Sequence, residues 1–357
     1  MIEKKLVFDY KTTHEIIKRI SIIDSFKSTW AGLEKKENRY LKELRKMATI
    51  QSIGSSTRIE GATMQDEEIQ SLLKNIKIST LKSRDEQEAV GYYEAIDLVF
   101  NNFNSITLTE NYIKQLHGIL LKYSEKDVSF RGRYKNIPNK VIAPYPDGKQ
   151  RTIFNTAEPH LVDKEIRDAL NWTNDQLSGG NIHPLLVIPV FINEFLSIHP
   201  FRDGNGRLSR LLTIMLLLKQ GYTFIPYVSF ENIIEHRKKD YYEALMKGQK
   251  NRSSKKEKID AWVLFFLECL QEMIDLLGKK YDVYKNKGGY VNPRQKNILE
   301  AIKVNQPVKF SDICRALPAY PKDTIKKDIQ YLLHEHRIES IGRNKGTIYN
   351  IIPGLTP

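Results

Sequence analysis

The chain has 357 residues, of which 41% are hydrophobic and 28% charged, the balance of a globular protein long enough for two or three domains with their own cores. Its two cysteines, Cys269 and Cys314, exclude a disulfide framework and a cysteine-rich zinc site and fit a reducing, cytoplasmic compartment. The formal net charge of +13 suits either a polyanionic partner, nucleotide or nucleic acid, or simple lysine-based solubility. The first residues lead into no long apolar run, and the apolar stretches at 185–198 and 208–218 are too short and interrupted to span a bilayer, so we expect neither a secretory signal nor a membrane span.

Taken in order, the N-terminal region reads as helical, with Trp30 as a core anchor and a charged amphipathic segment over 33–50. Ser55, Ser56, Thr57, Arg58, Ile59, Glu60 and Gly61 then have the composition of a polar helix end stopped by glycine, since Ser and Thr compete for backbone bonds inside a helix. Helix is expected again over 65–98, with Gly91 to Ala95 packed toward the core. Thr107 or Thr109 is the expected N-cap of a helix over 113–121, which carries His117 on its apolar face as a core residue. Between 130 and 142 the character changes: Gly132, Pro138 and Asn139 interrupt β-prone pieces, which predicts a hairpin returning near 152–154. A helix over 159–172 follows, and His183 and Pro184 open another. Pro189 falls inside that last pattern and requires either a late start or a kink.

The most informative stretch lies between two apolar helical patterns, at 199–210. His199, Phe201, Asp203, Gly204, Asn205, Gly206, Arg207 and Arg210 form a short polar loop running into the second helix. The glycines allow a sharp turn and close approach of the backbone to a ligand. With Asn205 they aim N–H groups outward at a helix N-terminus, which makes an anion site. Arg207 and Arg210 are three apart and share a helical face suited to phosphate oxygens. Asp203 is a hard oxygen ligand for Mg2+ held between protein and phosphates. His199 is the natural base near neutral pH. Base, metal ligand, anion cradle and cationic clamp together describe phosphoryl or nucleotidyl transfer.

Beyond it, a helix over 233–246 contains Arg237, Tyr241 and Tyr242; 250–258 is a charged turn; and 262–277 is an apolar helix that closes the core. Residues 279–289 are polar and glycine-bearing, a plausible linker. Helices over 294–302, 310–316 and 323–335 and a hairpin formed by 338–341 and 347–351 complete the chain. That order resembles a winged helix-turn-helix domain. Lys322, Lys326 and Lys327 would lie on its third helix, with Arg343 and Lys345 on the wing. DNA binding and protein docking or dimerisation remain open, because Asp323, Asp328 and Glu335 dilute the basic face.

The 199–210 stretch resembles the signature of the Fic (filamentation induced by cAMP) family, His-x-Phe-x-Asp/Glu-Gly-Asn-Gly-Arg-x-x-Arg, with every fixed position filled. Related Doc-type phosphotransferases usually carry Lys at the place of Gly206, so the resemblance favours transfer of AMP over transfer of a terminal phosphate. It implies an all-α Fic core with a small β-hairpin flap, followed by the winged helix, with residues 1–98 as an N-terminal helical region, 99–278 as the catalytic core, 279–289 as linker and 290–357 as the winged-helix domain. It implies that ATP is the substrate, with Mg2+ on Asp203; that Gly204, Asn205, Gly206, Arg207 and Arg210 bind phosphates; and that His199 takes the proton from a target-protein hydroxyl. Ser56, Glu60 and Gly61 resemble the family's inhibitory motif, whose glutamate pairs with the second signature arginine, here Arg210. Asn139, Lys140 and Val141 fall where a flap docks the target by strand addition. Tyr241 and Tyr242, otherwise simple core aromatics, fall near the adenine and ribose, and Gln249 stands where one member type has a base-contacting Asn. The expected function is autoinhibited protein AMPylation. The alternatives are de-AMPylation, a nucleotide-sensing DNA-binding regulator, or a different donor such as UTP, and a homodimer is a further partner to consider.

Overall fold

The computed structural model describes residues 5–34, 39–76, 81–144, 150–286, 291–334, 337–342 and 347–351. The chain packs as two compact units, one of residues 1–37 and 43–275, the other of 38–42 and 276–357. Among the described residues no helix is long and apolar enough to cross a membrane.

In the larger unit the elements run α1 (Tyr10–Glu34), α2 (Arg39–Ile59), α3 (Asp66–Lys74), α4 (Arg84–Asn102), α5 (Glu110–Leu120), the hairpin strands β1 (Lys140–Pro144) and β2 (Gln150–Asn155), then α6 (Val162–Gly179), α7 (Pro184–Ile198), α8 (Asn205–Lys219), α9 (Phe230–His236), α10 (Lys238–Gln249) and most of α11 (Asp260–Asn286). The centre is the pair α7 and α8. Both are buried all round: every residue from Val187 to Ile198 and from Arg207 to Leu218 is buried, which is the pattern of helices enclosed by others. Around them pack α4, α5, α6 and α10.

Local chemistry sets the boundaries. Thr109 is the N-cap of α5, its hydroxyl accepting from the Tyr112 N–H, and Ser83 with Glu86 forms a reciprocal capping box on α4. Pro184 sits in the first turn of α7, where its missing N–H costs nothing. The helix runs unbroken through Pro189, whose carbonyl accepts from Trp262 Nε1 at 2.8 Å. The late start is therefore ruled out. α2 ends at Ile59, with Gly61 at φ 105° and the Ala62 N–H closing back to the Thr57 carbonyl at 3.1 Å, a left-handed glycine stop. Trp30 is 1% exposed and stacks on Phe26.

Three expectations change here. The stretch read as helix over 65–98 is two helices, α3 and α4, with residues 75–76 and 81–83 outside both. The helix read over 233–246 is two helices, broken at Arg237, whose backbone leaves the helical region at φ −107° and ψ 29° and whose guanidinium bonds Glu268 at 2.7 Å and lies over the Phe265 ring. The stretch read as a linker from Lys279 is helical to Asn286, the end of α11; residues 287–290 lie outside the described set.

In the smaller unit, α12 (Pro293–Asn305), β3 (Val308–Lys309), α13 (Phe310–Ala316), α14 (Lys322–His334), β4 (Ile338–Ile341) and β5 (Ile348–Ile351) follow α11. The sheet has strand order β3-β5-β4, all antiparallel. Ile298, Ile302, Val308, Ile313, Ile325, Ile329, Leu332 and Ile338 form its core. Arg343, Lys345 and Glu335 lie outside the described residues. Asp328 does not dilute the outer face of α14: it is 5% exposed and bonded to Arg294 and Gln295.

Candidate active site

The site is the turn between α7 and α8. His199 caps α7 in a left-handed conformation, φ 51° and ψ 62°, and the residue is half-buried. Its Nδ1 lies 3.3 Å from the Leu196 carbonyl, so Nδ1 carries the proton and Nε2 keeps the lone pair. Burial pushes the imidazole down to about 4, so it is neutral, and able to act as a base, near pH 7.

The loop that follows is fixed from within. Phe201 is fully buried and stacks flat on His117, with ring centroids 3.8 Å apart. His117 accepts from the Gly132 N–H at Nδ1 and donates from Nε2 to the Asp203 carbonyl at 3.0 Å. It is a structural residue, as the sequence suggests. Gly204 sits at φ 78° as the N-cap of α8, with no side-chain cap on the first-turn N–H groups. A helix start without a side-chain cap favours an anion.

The structure places the other expected site residues as follows. The Asn205 side chain is turned into the loop: it is 2% exposed, accepts from the Phe201 N–H at 2.9 Å and donates to the Phe201 carbonyl at 2.8 Å. Arg207 is 1% exposed and bound to Glu88 at 3.0 Å and Asp203 at 3.4 Å. Asn139 is committed to the loop, donating to the Phe201 carbonyl at 2.9 Å. Lys140 and Val141 lie on β1, paired with Asn155 and Phe154 across the hairpin, with an irregularity in register after Val141; their side chains lie outside the described set. Tyr241 is buried between Tyr242, Trp262 and Phe265, and its burial raises the phenol to about 12. Gln249 is 2% exposed.

Asp203 joins a ring of four charges that the sequence did not reveal. Its Oδ1 accepts from the Gly204 N–H at 2.6 Å and lies near Arg207; its Oδ2 is 3.1 Å from Arg84; Arg84 pairs with Glu88 at 2.7 Å, and Glu88 with Arg207. Burial alone would raise its carboxyl, but Arg207, the Gly204 N–H and Arg84 outweigh that and hold it below the usual range. Among the described residues no group of three His, Cys, Asp or Glu converges on a metal position. A lone ionised carboxylate beside an anion cradle nonetheless fits Mg2+, which takes most of its ligands from phosphates and water. Arg84, whose side chain is 53% exposed, can leave Oδ2 at little cost.

The last piece comes from α2. Arg210 donates from Nε to Ser56 Oγ at 2.9 Å, and from Nη2 to the Ser56 carbonyl and to Glu60 Oε1, both at 2.8 Å. Its side chain is 3% exposed, while Glu60 is 33% exposed. A Cβ at Gly206 would collide with Glu60 Oε1, so the Glu60 carboxylate lies directly on the first turn of α8. An anion already occupies the anion site.

Comparison with known proteins adds to this geometry. Residues 107–217 match the model of the Fic/DOC family. Two relatives, each named protein adenylyltransferase Fic, come from Aedes aegypti, 28% identical over 67% of this chain and 44% of that protein, and Culex quinquefasciatus, 27% identical over 75% and 48%. The chain thus spans about half the length of these curated relatives. Among solved structures, a Fic family protein from Desulfovibrio desulfuricans G20 shares the fold over 98% of both chains, at 19% identity and a TM-score of 0.66. Fic-1 from C. elegans does so over 72% of this chain and 70% of its own, at 19% identity and a TM-score of 0.56.

Proposed function

The chain belongs to the Fic family, and on that premise we propose that it is a protein adenylyltransferase held in check by its own Glu60. ATP lies over the start of α8, its phosphates against the backbone N–H groups of residues 204–206. Arg210 takes the terminal phosphate once Glu60 withdraws. Arg207 acts one step back, fixing Asp203. Asp203 would hold Mg2+, which would supply charge neutralisation. The target hydroxyl oxygen forms a bond to the α-phosphorus, the bond from that phosphorus to the departing bridging oxygen breaks, and pyrophosphate leaves. The hydroxyl proton passes to His199 Nε2. Fixed donors around a transferring phosphoryl group carry most of such catalysis.

The observation that supports this most is the Glu60 carboxylate, bonded to Arg210 and lying on Gly206. A carboxylate and a terminal phosphate compete for one guanidinium and repel each other. Freeing a charged hydrogen bond of this kind is worth about 1.5–3 kcal/mol. We therefore expect Glu60→Gly to raise labelling of protein from α-labelled ATP by about 10- to 100-fold, with no label from γ-labelled ATP, and His199→Ala to abolish it. Label arriving from the γ-position would mean phosphate transfer and defeat the reading. Release of AMP from a pre-modified protein, dependent on Glu60, would favour de-AMPylation by the same site.

A second reading concerns the smaller unit. With Asp328 internally paired, Lys322, Lys326, Lys327 and Gln330 are the exposed residues around Asp323 on one side of α14. That basic face supports DNA binding in addition to the transfer reaction. A gel shift that weakens steeply with salt is the expected result; no shift at low salt would contradict it.

A further inference from the structure

Lys135 is a buried lysine that the reaction above does not use. Its Nζ lies 2.7 Å from Asn139 Oδ1, 2.8 Å from Thr156 Oγ1 and 3.1 Å from the Ile198 carbonyl, and its backbone N–H donates to the Pro200 carbonyl at 2.8 Å. Three acceptors match the three N–H groups of an ammonium. Thr156 Oγ1, accepting from the lysine, is left to donate to Asn139, whose carbonyl is 2.8 Å away, while Asn139 Nδ2 donates to the Phe201 carbonyl at 2.9 Å. Asn139 immediately precedes β1 and Thr156 immediately follows β2. The carbonyls of Ile198, Pro200 and Phe201 bracket His199. Both feet of the hairpin are thus tied, through one ammonium and one amide, to the backbone on either side of the base.

His199 needs such a tie. It is held at φ 51°, and a non-glycine residue stays in the left-handed region only where its surroundings over-determine it. We propose that Lys135 is a positioning residue for the transfer reaction, its ammonium locking the hairpin and the His199 turn into one rigid piece. The inference rests on His199 being the base. Lys135 also discourages protonation of the nearby imidazole by its charge. Burial lowers the lysine itself to about 8; Glu158 and Glu165 oppose that shift and Arg252 adds to it. On the alkaline side the clamp loses a proton, and with it one of its three donors, while His199 remains neutral above about 4.

The test uses the full chain carrying Glu60→Gly, with Lys135→Arg, Lys135→Met and Thr156→Val added singly. Loss of the ammonium and its three hydrogen bonds predicts that Lys135→Met lowers kcat by about tenfold or more, with KM for ATP within about twofold. The parent should lose kcat above about pH 8, and Lys135→Arg, whose charge does not titrate there, should keep the rate and lose that alkaline limb. NMR titration of labelled histidine, which needs no activity, should show the His199 midpoint rising in Lys135→Met and not in Lys135→Arg. If Lys135→Met does not fold, Thr156→Val carries the test with a several-fold fall in kcat. An unchanged kcat and His199 midpoint in Lys135→Met, or an unchanged kcat in Thr156→Val, overturns the proposal. If the parent transfers no AMP, the reaction assigned above fails, and the His199 midpoint alone then decides the role of Lys135.

Discussion

At the scale of single residues, the site is governed by who already holds each charge. Arg210 has Ser56 and Glu60, Arg207 has Glu88 and Asp203, and Asn205 has Phe201. Residue types and spacing made the signature legible as an anion site, and they made the Glu60 to Arg210 pairing expected through family resemblance. They did not show which members face a ligand. Asn205 and Arg207 look identical in sequence whether they touch phosphate or brace the turn, and only burial separates the two. The two histidines that frame the turn carry a prediction. His199 and His117 are each pushed by burial from 6.5 to about 4. The unfolded chain therefore binds protons that the folded chain refuses, so stability falls as pH drops from about 6.5 toward 4. Melting temperatures measured across that range should decline, and the decline should shrink in His117→Gln if the variant folds with the same contacts to Gly132 and Asp203.

At the scale of elements, the paired helices α7 and α8 were plain in the sequence, because their dense hydrophobicity survives any detail of packing. The break at Arg237 was hidden: no glycine or proline marks it, and the side chain's partner, Glu268 on α11, lies far along the chain. The same holds for the hairpin feet, whose anchor points at Ile198, Pro200 and Phe201 are about sixty residues away in sequence. The end of α2 is held by an element contact of this kind. Arg58 reaches Glu235 on α9 through Nε at 2.6 Å and Nη2 at 3.0 Å, and also bonds the Met64 carbonyl and Asp66. It stiffens the turn that carries Glu60. Removing a two-pronged, part-buried pair costs about 1–3 kcal/mol. Arg58→Met should therefore raise basal AMP transfer several-fold while leaving the Glu60→Gly rate nearly unchanged, as read by labelling from α-labelled ATP. An equal rise in both backgrounds would show that Arg58 acts elsewhere.

At the scale of the whole molecule, the charge of +13 left open whether the lysines serve a partner or only solubility. In the smaller unit, burial of Asp328 against Arg294 leaves Lys322, Lys326 and Lys327 exposed on α14 beside Asp323, the face proposed above to bind DNA. Lys326→Glu combined with Lys327→Glu should reduce DNA affinity by tenfold or more at low salt, roughly two phosphate contacts' worth, and flatten the salt dependence. AMP transfer by the Glu60→Gly protein should not change with it. The Fic fold, which the signature made expected, extends in the Desulfovibrio desulfuricans structure over nearly the whole chain.

Everything rests on a triphosphate taking the place that Glu60 now fills. Diffraction from Glu60→Gly crystals grown with ATP and Mg2+ measures this directly. The account predicts the terminal phosphate against Arg210, the inner phosphates on the first turn of α8, and the α-phosphorus within reach of His199 Nε2. Nucleotide bound anywhere else, with the start of α8 left empty, would contradict it.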